Sequence, residues 1–367
     1  MASGRSATGE EVAISVESLS ERLLEAPFVT IASLPHPAHL VAAAILARAE
    51  FGPSRIHVIN ETNDVPTKPE GLVIGTDPSI PGADVALSAI RPVEHAEEVL
   101  GHVDGEPIDG SIMTSVTTHT TSTSGGIVAT HESLARNIST SVRTYGPLSG
   151  VEPDAVERRL NNAGLAQTVT EVSEDTTLGR RLASWLSTIT LESDHRPSSA
   201  SSAMERLFAP TYLADGPAPT AQGLFDLLWL AAATDAGLAV AAALDDQYWQ
   251  ALLDEYDTSA GAVHETVGSL PVDREEPLVV ETVDTPLLEP VAWLWTAFRL
   301  DQPYGVLVRE AARTRVSVAS TGSRSASAML EGVATGRDGV CWGDEAIAGG
   351  FVDADATTLE NALRSEL

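Results

Sequence analysis

Phe28-Val29-Thr30-Ile31-Ala32-Ser33-Leu34-Pro35-His36-Pro37-Ala38-His39 runs directly into Leu40-Val41-Ala42-Ala43-Ala44-Ile45-Leu46-Ala47-Arg48. The first five residues are an apolar, partly β-branched run, the composition of a buried strand. Neither Pro35 nor Pro37 can donate to a sheet ladder, so the strand stops there. From about Leu40 to Arg48 the residues are strong helix formers, with Leu40, Ala43, Ala44 and Ala47 on one face. The unit is therefore strand, tight loop and small-residue helix. In an open α/β sheet, ligands collect at the carboxyl ends of strands beside helix N-termini, which makes this loop the first place to look for chemistry.

Beyond this unit, strand signals at Arg55–Asn60, Gly71–Thr76 and Val85–Ile90 predict a parallel α/β domain. A disordered tail is expected at 1–12 and an amphipathic helix over Ser15–Leu24. Met113–Gly125 is almost all Ser and Thr and predicts a polar loop or surface strand. Further helices are expected over Ser133–Tyr145, stopped by Gly146-Pro147, and over Pro153–Gly164, 179–192, Ala200–Leu207 and 222–256, the last entered at Thr220. From Leu278 the character turns to strands: Leu278–Val283, Tyr304–Arg309 and Thr314–Ala319, with a closing helix over Ala356–Leu367. The chain's 367 residues accommodate two domains. The expected fold class is α/β, with an N-terminal parallel-sheet domain over 13–165, a helical connector over 166–264 and a smaller C-terminal α+β domain over 265–367.

Acidic residues number 52 against 22 basic ones, a net charge of -30, and Lys68 is the single lysine. A surface so acidic fits the molar-salt cytoplasm of a halophilic archaeon, where the Debye length falls to about 3 Å and self-repulsion is screened. A hydrophobic content of 43% and a mean hydropathy of +0.03 indicate a soluble globular chain. The apolar runs Leu227–Ala233 and Ala236–Leu244 are too short to span a bilayer, and Met1–Glu11 has no apolar signal region, so a cytoplasmic protein without membrane contact is expected. The single cysteine, Cys341, excludes an internal disulfide and a cysteine-based zinc site. The overall charge does not favour nucleic-acid binding. The best basic cluster is Arg309, Arg313, Arg315 and Arg324, beside the small-residue loop Ser320-Thr321-Gly322-Ser323-Arg324-Ser325, which is rich in donors for a phosphate. Arg324, Ser323 and Arg315 are the candidate substrate-binding residues.

The strand-loop-helix unit resembles the first motif of the DHH phosphoesterase superfamily, and within it the archaeal RecJ-like proteins, in which His-x-Asp-x-Asp-Gly precedes a small-residue helix. Aligned on that helix, the family's His falls on Leu34, its two Asp on His36 and Ala38, and its Gly on His39. Leu72-Val73-Ile74-Gly75-Thr76-Asp77 resembles the family's second strand, which ends in a metal-binding Asp, so Asp77 is the remaining candidate ligand, with His36 beside it. Where the Asp-His-His motif is expected, the chain reads Ser88-Ala89-Ile90-Arg91-Pro92-Val93-Glu94-His95. Glu132–Gly150 is similar to the close of the family's first domain, and Ala218–Leu228 to a stretch shared by archaeal RecJ-like sequences. Asp344–Val352 resembles the segment after the Gly-Gly-His substrate loop of the DHH-associated domain, a loop that here reads Cys341-Trp342-Gly343.

A two-metal phosphoesterase needs several carboxylate and imidazole ligands to hold cations about 3.5–4 Å apart. Asp77 and His36 are too few. The resemblance therefore implies a DHH-type domain, a DHH-associated domain and a non-catalytic replication, repair or nucleic-acid-associated subunit, with GINS-like or other replication proteins and single-stranded nucleic acid as partners and no cofactor. The alternative is an active single-strand exonuclease or phosphodiesterase with a rearranged site, using Asp77, His36, Asp84 or His95 and Mn or Mg. A third reading is an anion-binding module holding phosphate on the Ser323-Arg324 loop. His36 and His39 are spaced to face one another, His119 and His131 are expected to be solvated, and Trp229, Trp249, Trp293 and Trp295 are expected in the core or an interface.

Overall fold

The structure is a computed structural model that describes residues 22–48, 53–61, 65, 71–76, 80, 83–86, 119–120, 127–165, 167–191, 199–205, 207–208, 212–213, 217–272, 276–337 and 339–367. The expectations for 1–21, for Asp77 and His95, and for most of Met113–Gly125 lie outside these residues.

Four strands, β1 (Val29–Ser33), β2 (Ser54–Val58), β3 (Leu72–Gly75) and the two-residue β4 (Val85–Ala86), form a parallel sheet in the order β2-β1-β3-β4. Every residue of β1 is buried, as a central strand covered on both faces requires. The following helix, α1 (Pro37–Arg48), begins at Pro37 and not at Leu40. Proline at the first helical position gives up no intrahelical hydrogen bond, so Pro37 both leaves the strand and opens the helix.

The middle of the chain is helical: α2 (Leu134–Thr140), α3 (Pro153–Ala163), α4 (Val169–Glu174), α5 (Thr176–Leu191), α6 (Ala200–Met204), α7 (Ala221–Thr234), α8 (Ala236–Leu244) and α9 (Trp249–Ser269). Two expectations are corrected. The helix expected to run to Tyr145 stops at Thr140, because the carbonyls at its end are taken from outside: Gly150 N donates to Ser139 O (2.8 Å), Tyr256 Oη to Thr140 O (2.9 Å) and His264 Nε2 to Ser141 O (2.8 Å). The single helix expected over 222–256 is instead three helices and a 3-10 turn, broken at Asp235 and Asp245. Each aspartate caps the element that follows, Asp235 accepting from Leu238 N (2.9 Å) and Asp245 from Gln247 N (3.0 Å). At the start of α7, Thr220 Oγ1 accepts from Gly223 N, and a Cβ on Gly223 would stand 1.7 Å from Ala129 O. Only glycine fits there.

Two short strands, β5 (His119–Thr120) and β6 (Tyr212–Leu213), pair antiparallel. The second sheet has the order β10-β11-β9-β8-β7, built from β7 (Leu278–Thr282), β8 (Tyr304–Arg309), β9 (Thr314–Ser320), β10 (Val340–Gly343) and β11 (Ile347–Val352). Within this sheet only β7 and β8 run parallel. The helix α10 (Leu288–Phe298), apolar but for Glu289 and Thr296, is buried at every position. The other helices of this region are α11 (Ala326–Ala334) and α12 (Ala356–Glu366). A third apolar cluster joins the sheets, with Ala32, Leu34, Ile59, Val73 and Ile80 meeting Val340, Trp342 and Phe351.

Candidate functional site

The carboxyl ends of β1, β2 and β3 are held level by two main-chain bonds, Ile59 N to Ser33 O and Thr76 N to Ala32 O, each 2.8 Å. In a parallel sheet this edge is the binding edge. Leu34 leaves it with no exposed surface. Trp342 and Phe351, whose rings lie 5.3 Å apart, close over it from the second sheet. Arg313 stacks on the Phe351 ring at 5.5 Å and donates its main-chain N–H to Glu61 O at 3.0 Å. Burying a leucine or phenylalanine in this way stabilises by about 1.5–3 kcal/mol each.

His36 and His39 come together as their spacing predicts, edge to face at 5.5 Å, with Phe225 of α7 5.7 Å from His36. His39 Nδ1 is 3.3 Å from Thr76 Oγ1. Ala38, aligned with the second Asp of the motif, is buried in the core. Asp84 Oδ2 accepts from Val73 N at 2.9 Å, near the beginning of β3 and away from the binding edge. Two imidazoles and a hydroxyl are no cradle for a pair of divalent cations, which need carboxylate charge. Among the described residues no group of three or more His, Cys, Asp and Glu is placed to hold a metal ion.

The basic cluster is divided: Arg309 and Arg315 lie opposite one another in β8 and β9 with Arg313 in the turn between them, and Arg324 lies beyond the other end of β9. Arg315 is buried, its Nη2 donating to both oxygens of Glu289 (3.0 and 2.8 Å), and its Nε is buried without a hydrogen-bond partner. Ser323 and Arg324 are exposed beyond the far end of β9, about 16 Å along the strand from Arg315. There Ser320 Oγ donates to Arg324 O (2.6 Å) and Arg324 N to Tyr304 Oη (3.3 Å). Arg309 turns to Glu61, donating from Nη1 to Oε1 at 2.6 Å.

A second polar assembly ties α7 and α9 to the segment around α2. Arg143 forms a fork on Asp226, 2.7 and 2.9 Å. Burial pushes the Asp226 carboxyl up, opposed by the charge of Arg143, and burial likewise pushes the Tyr256 phenol up. His131 is buried and not solvated, with Nε2 2.8 Å from Asp257 Oδ1, and Arg136 donates to the other oxygen of that carboxylate. Burial alone would push the Asp257 carboxyl up, but its bonds to His131 and Arg136 outweigh that and hold it low. His264, buried beside Tyr145, is pushed down by desolvation against the opposing bond to Ser141.

Trp342, Phe351, Glu61 and Glu289 carry no motif that marks them in the sequence. The alternation of Val340-Cys341-Trp342 and the run Gly349-Gly350-Phe351-Val352 were the available signals that this segment is strand and not loop.

No protein-family model and no curated protein matches the chain. It is similar in structure to RecJ from Thermus thermophilus in complex with Mn2+, at 13% identity over 95% of this chain and 53% of that one, with a TM-score of 0.42. It is similar to CDC45 from Entamoeba histolytica, at 7% identity over 95% of this chain and 97% of that one, TM-score 0.46. It is similar also to an exopolyphosphatase-related protein from Bacteroides fragilis, at 10% identity over 95% of each chain, TM-score 0.28. The chain spans about half the length of the Thermus RecJ it matches.

Proposed function

We propose that this RecJ-like chain is a non-catalytic, cytoplasmic binding subunit of the replication or repair machinery and not a nuclease. The observation that carries the reading is Leu34. At the position of the family's first metal-binding His stands a fully buried aliphatic side chain, enclosed with Trp342 and Phe351. A working two-metal cleft must admit hydrated cations and a phosphodiester. Among the described residues the surroundings of Leu34 are apolar, where an uncompensated charge is costly. Two sheets locked together in this way make a rigid body for holding partners. GINS-like or other replication and repair proteins and single-stranded nucleic acid are the proposed partners, and the role needs no cofactor.

The second reading, a Mn- or Mg-dependent single-strand exonuclease or phosphodiesterase with a rearranged site, is favoured by one observation. His36 and His39 converge beside Thr76, the residue before Asp77. The test is degradation of labelled single-stranded DNA and RNA with Mn2+ in about 2–3 M KCl, by wild type beside His36→Ala and Asp77→Ala. No cleavage by any of the three is expected. Cleavage by wild type that both variants lose overturns the non-catalytic reading.

A further inference from the structure

In a chain of net charge -30, five of the described arginines are neutralised by carboxylates of the fold: Arg136 by Asp257, Arg143 by Asp226, Arg309 by Glu61, Arg315 by Glu289 and Arg364 by Glu360. Four others stand together at the surface. Arg158-Arg159 and Arg180-Arg181 are the only adjacent pairs of arginine or lysine in the sequence, and all four side chains are exposed. The fold brings the pairs onto one surface, because Arg181 Nη2 donates to Ala163 O (3.3 Å) and Gly164 O (3.0 Å) and so closes the end of the helix that carries the other pair. Arg180 bonds to its own helix, at Thr176 O.

Asp154 and Glu157 are exposed on the helix that carries Arg158-Arg159, and among the described residues no ion pair joins them to these arginines; the carboxylates ahead of Arg180-Arg181 cap helices. Glu171 accepts from Gln167 N and Thr168 N, and Asp175 accepts from Thr177 N and Leu178 N, each capping a helix start. One turn beyond Arg181 on the same face stands Trp185, half-buried against the core with an edge left to solvent. The large exposed hydrophobics of the described residues, Leu24, Tyr248 and Leu367, lie elsewhere. A protein interface is built around apolar or aromatic anchors that become buried. A surface of guanidinium forks with one aromatic edge suits phosphates and a stacked base.

We propose that the Arg158-Arg159 and Arg180-Arg181 surface of α3 and α5 binds the phosphodiester backbone of single-stranded nucleic acid, with Trp185 stacking a base. None of its residues belongs to the cluster around Leu34. The inference rests on the proposed non-catalytic role only in that the strand is held and not cut.

The test is fluorescence anisotropy of labelled oligo(dT) and oligo(U) of about 20 nucleotides with the full chain, from about 0.3 to 2 M KCl, with cleavage scored in the same mixtures. Cleavage without a change in the arginine variants would count against the non-catalytic role alone. Arg158→Ala/Arg159→Ala/Arg180→Ala, which spares the helix-closing Arg181, should weaken binding about tenfold or more and lower the salt slope by about 2. The matching triple lysine variant should keep the slope, and Trp185→Phe should lose quenching of tryptophan fluorescence by the oligonucleotide. Unchanged affinity and slope in the triple alanine variant overturns the proposal. So does tighter binding to polyglutamate than to oligo(dT), or no binding by folded wild type at the lowest salt.

Discussion

Arg309, at the end of β8, donates from Nη1 to Glu61 Oε1 at 2.6 Å, so an arginine of the second sheet holds a carboxylate from the loop after β2 of the first. The other Glu61 oxygen is buried without a hydrogen-bond partner, and Asp284 lies 3.5 Å from the same guanidinium. A pair so placed works against less solvent screening than an exposed one. A double-mutant cycle with Glu61→Ala and Arg309→Ala should give a coupling of about 1 kcal/mol or more in denaturant unfolding. A coupling near zero would mean that the pair does not join the sheets.

Leu34 is the residue at which the proposed non-catalytic role and a metal-binding edge differ most. Leu34→Ala should cost about 2–5 kcal/mol, because the cavity lies between two sheets that cannot both relax into it. Leu34→His, which places there the residue type of the motif that the sequence resembles, should also destabilise, since the imidazole would have to find a hydrogen bond among Ile59, Val73, Trp342 and Phe351. Thermal unfolding of both variants checks this. A Leu34→His protein as stable as wild type and active with Mn2+ would show that the edge remains open to metal.

Much of this was legible in the sequence because it is local. The run Phe28–Ala32 and the alanines behind Pro37 dictate a strand and a helix whatever surrounds them, Leu278–Val283 announces itself by alternation, and Tyr304–Arg309 and Thr314–Ala319 by β-branched apolar runs. Asp235 and Asp245 were visible too, but an aspartate inside an apolar helical pattern reads as an interruption until the backbone N–H it caps is seen. The division of the arginine cluster could not be read. Arg315 and Arg324 are nine positions apart in sequence, and only the extended strand between them places one in the core and the other in solvent. The closure over Leu34 was hidden for the same reason, since Trp342 and Phe351 reach it from the far end of the chain.

Arg143 and Asp226 test how far the helical layer depends on one buried charge pair. Arg143→Ala leaves the Asp226 carboxylate, 2% exposed, without its cation and should cost about 3–5 kcal/mol. Replacing the pair by Arg143→Met/Asp226→Leu should recover a large part of that loss, because two charges no longer have to be desolvated. Urea titration of the three proteins distinguishes the cases. A single variant no less stable than wild type would remove the pair from the account of the fold.

His264 sets the pH dependence of this layer. Its Nε2 is 2.8 Å from Ser141 O, its Nδ1 is buried without a hydrogen-bond partner, and Arg299, stacked on neighbouring Tyr145, adds a positive charge nearby. Desolvation holds the folded-state value below the ordinary 6.5, so the native protein keeps the ring neutral while the unfolded chain takes up a proton more readily. The resulting stability is fully present above pH 6.5 and is lost as the pH falls from there toward the folded-state value, with a slope of at most about 1.4 kcal/mol per pH unit. Unfolding free energies of wild type and His264→Asn, measured from about pH 8 to 5, should differ in slope, the variant being the flatter even where it is less stable. Parallel curves would show that the histidine does not titrate on unfolding, and that the acid sensitivity of the chain resides in its carboxylates.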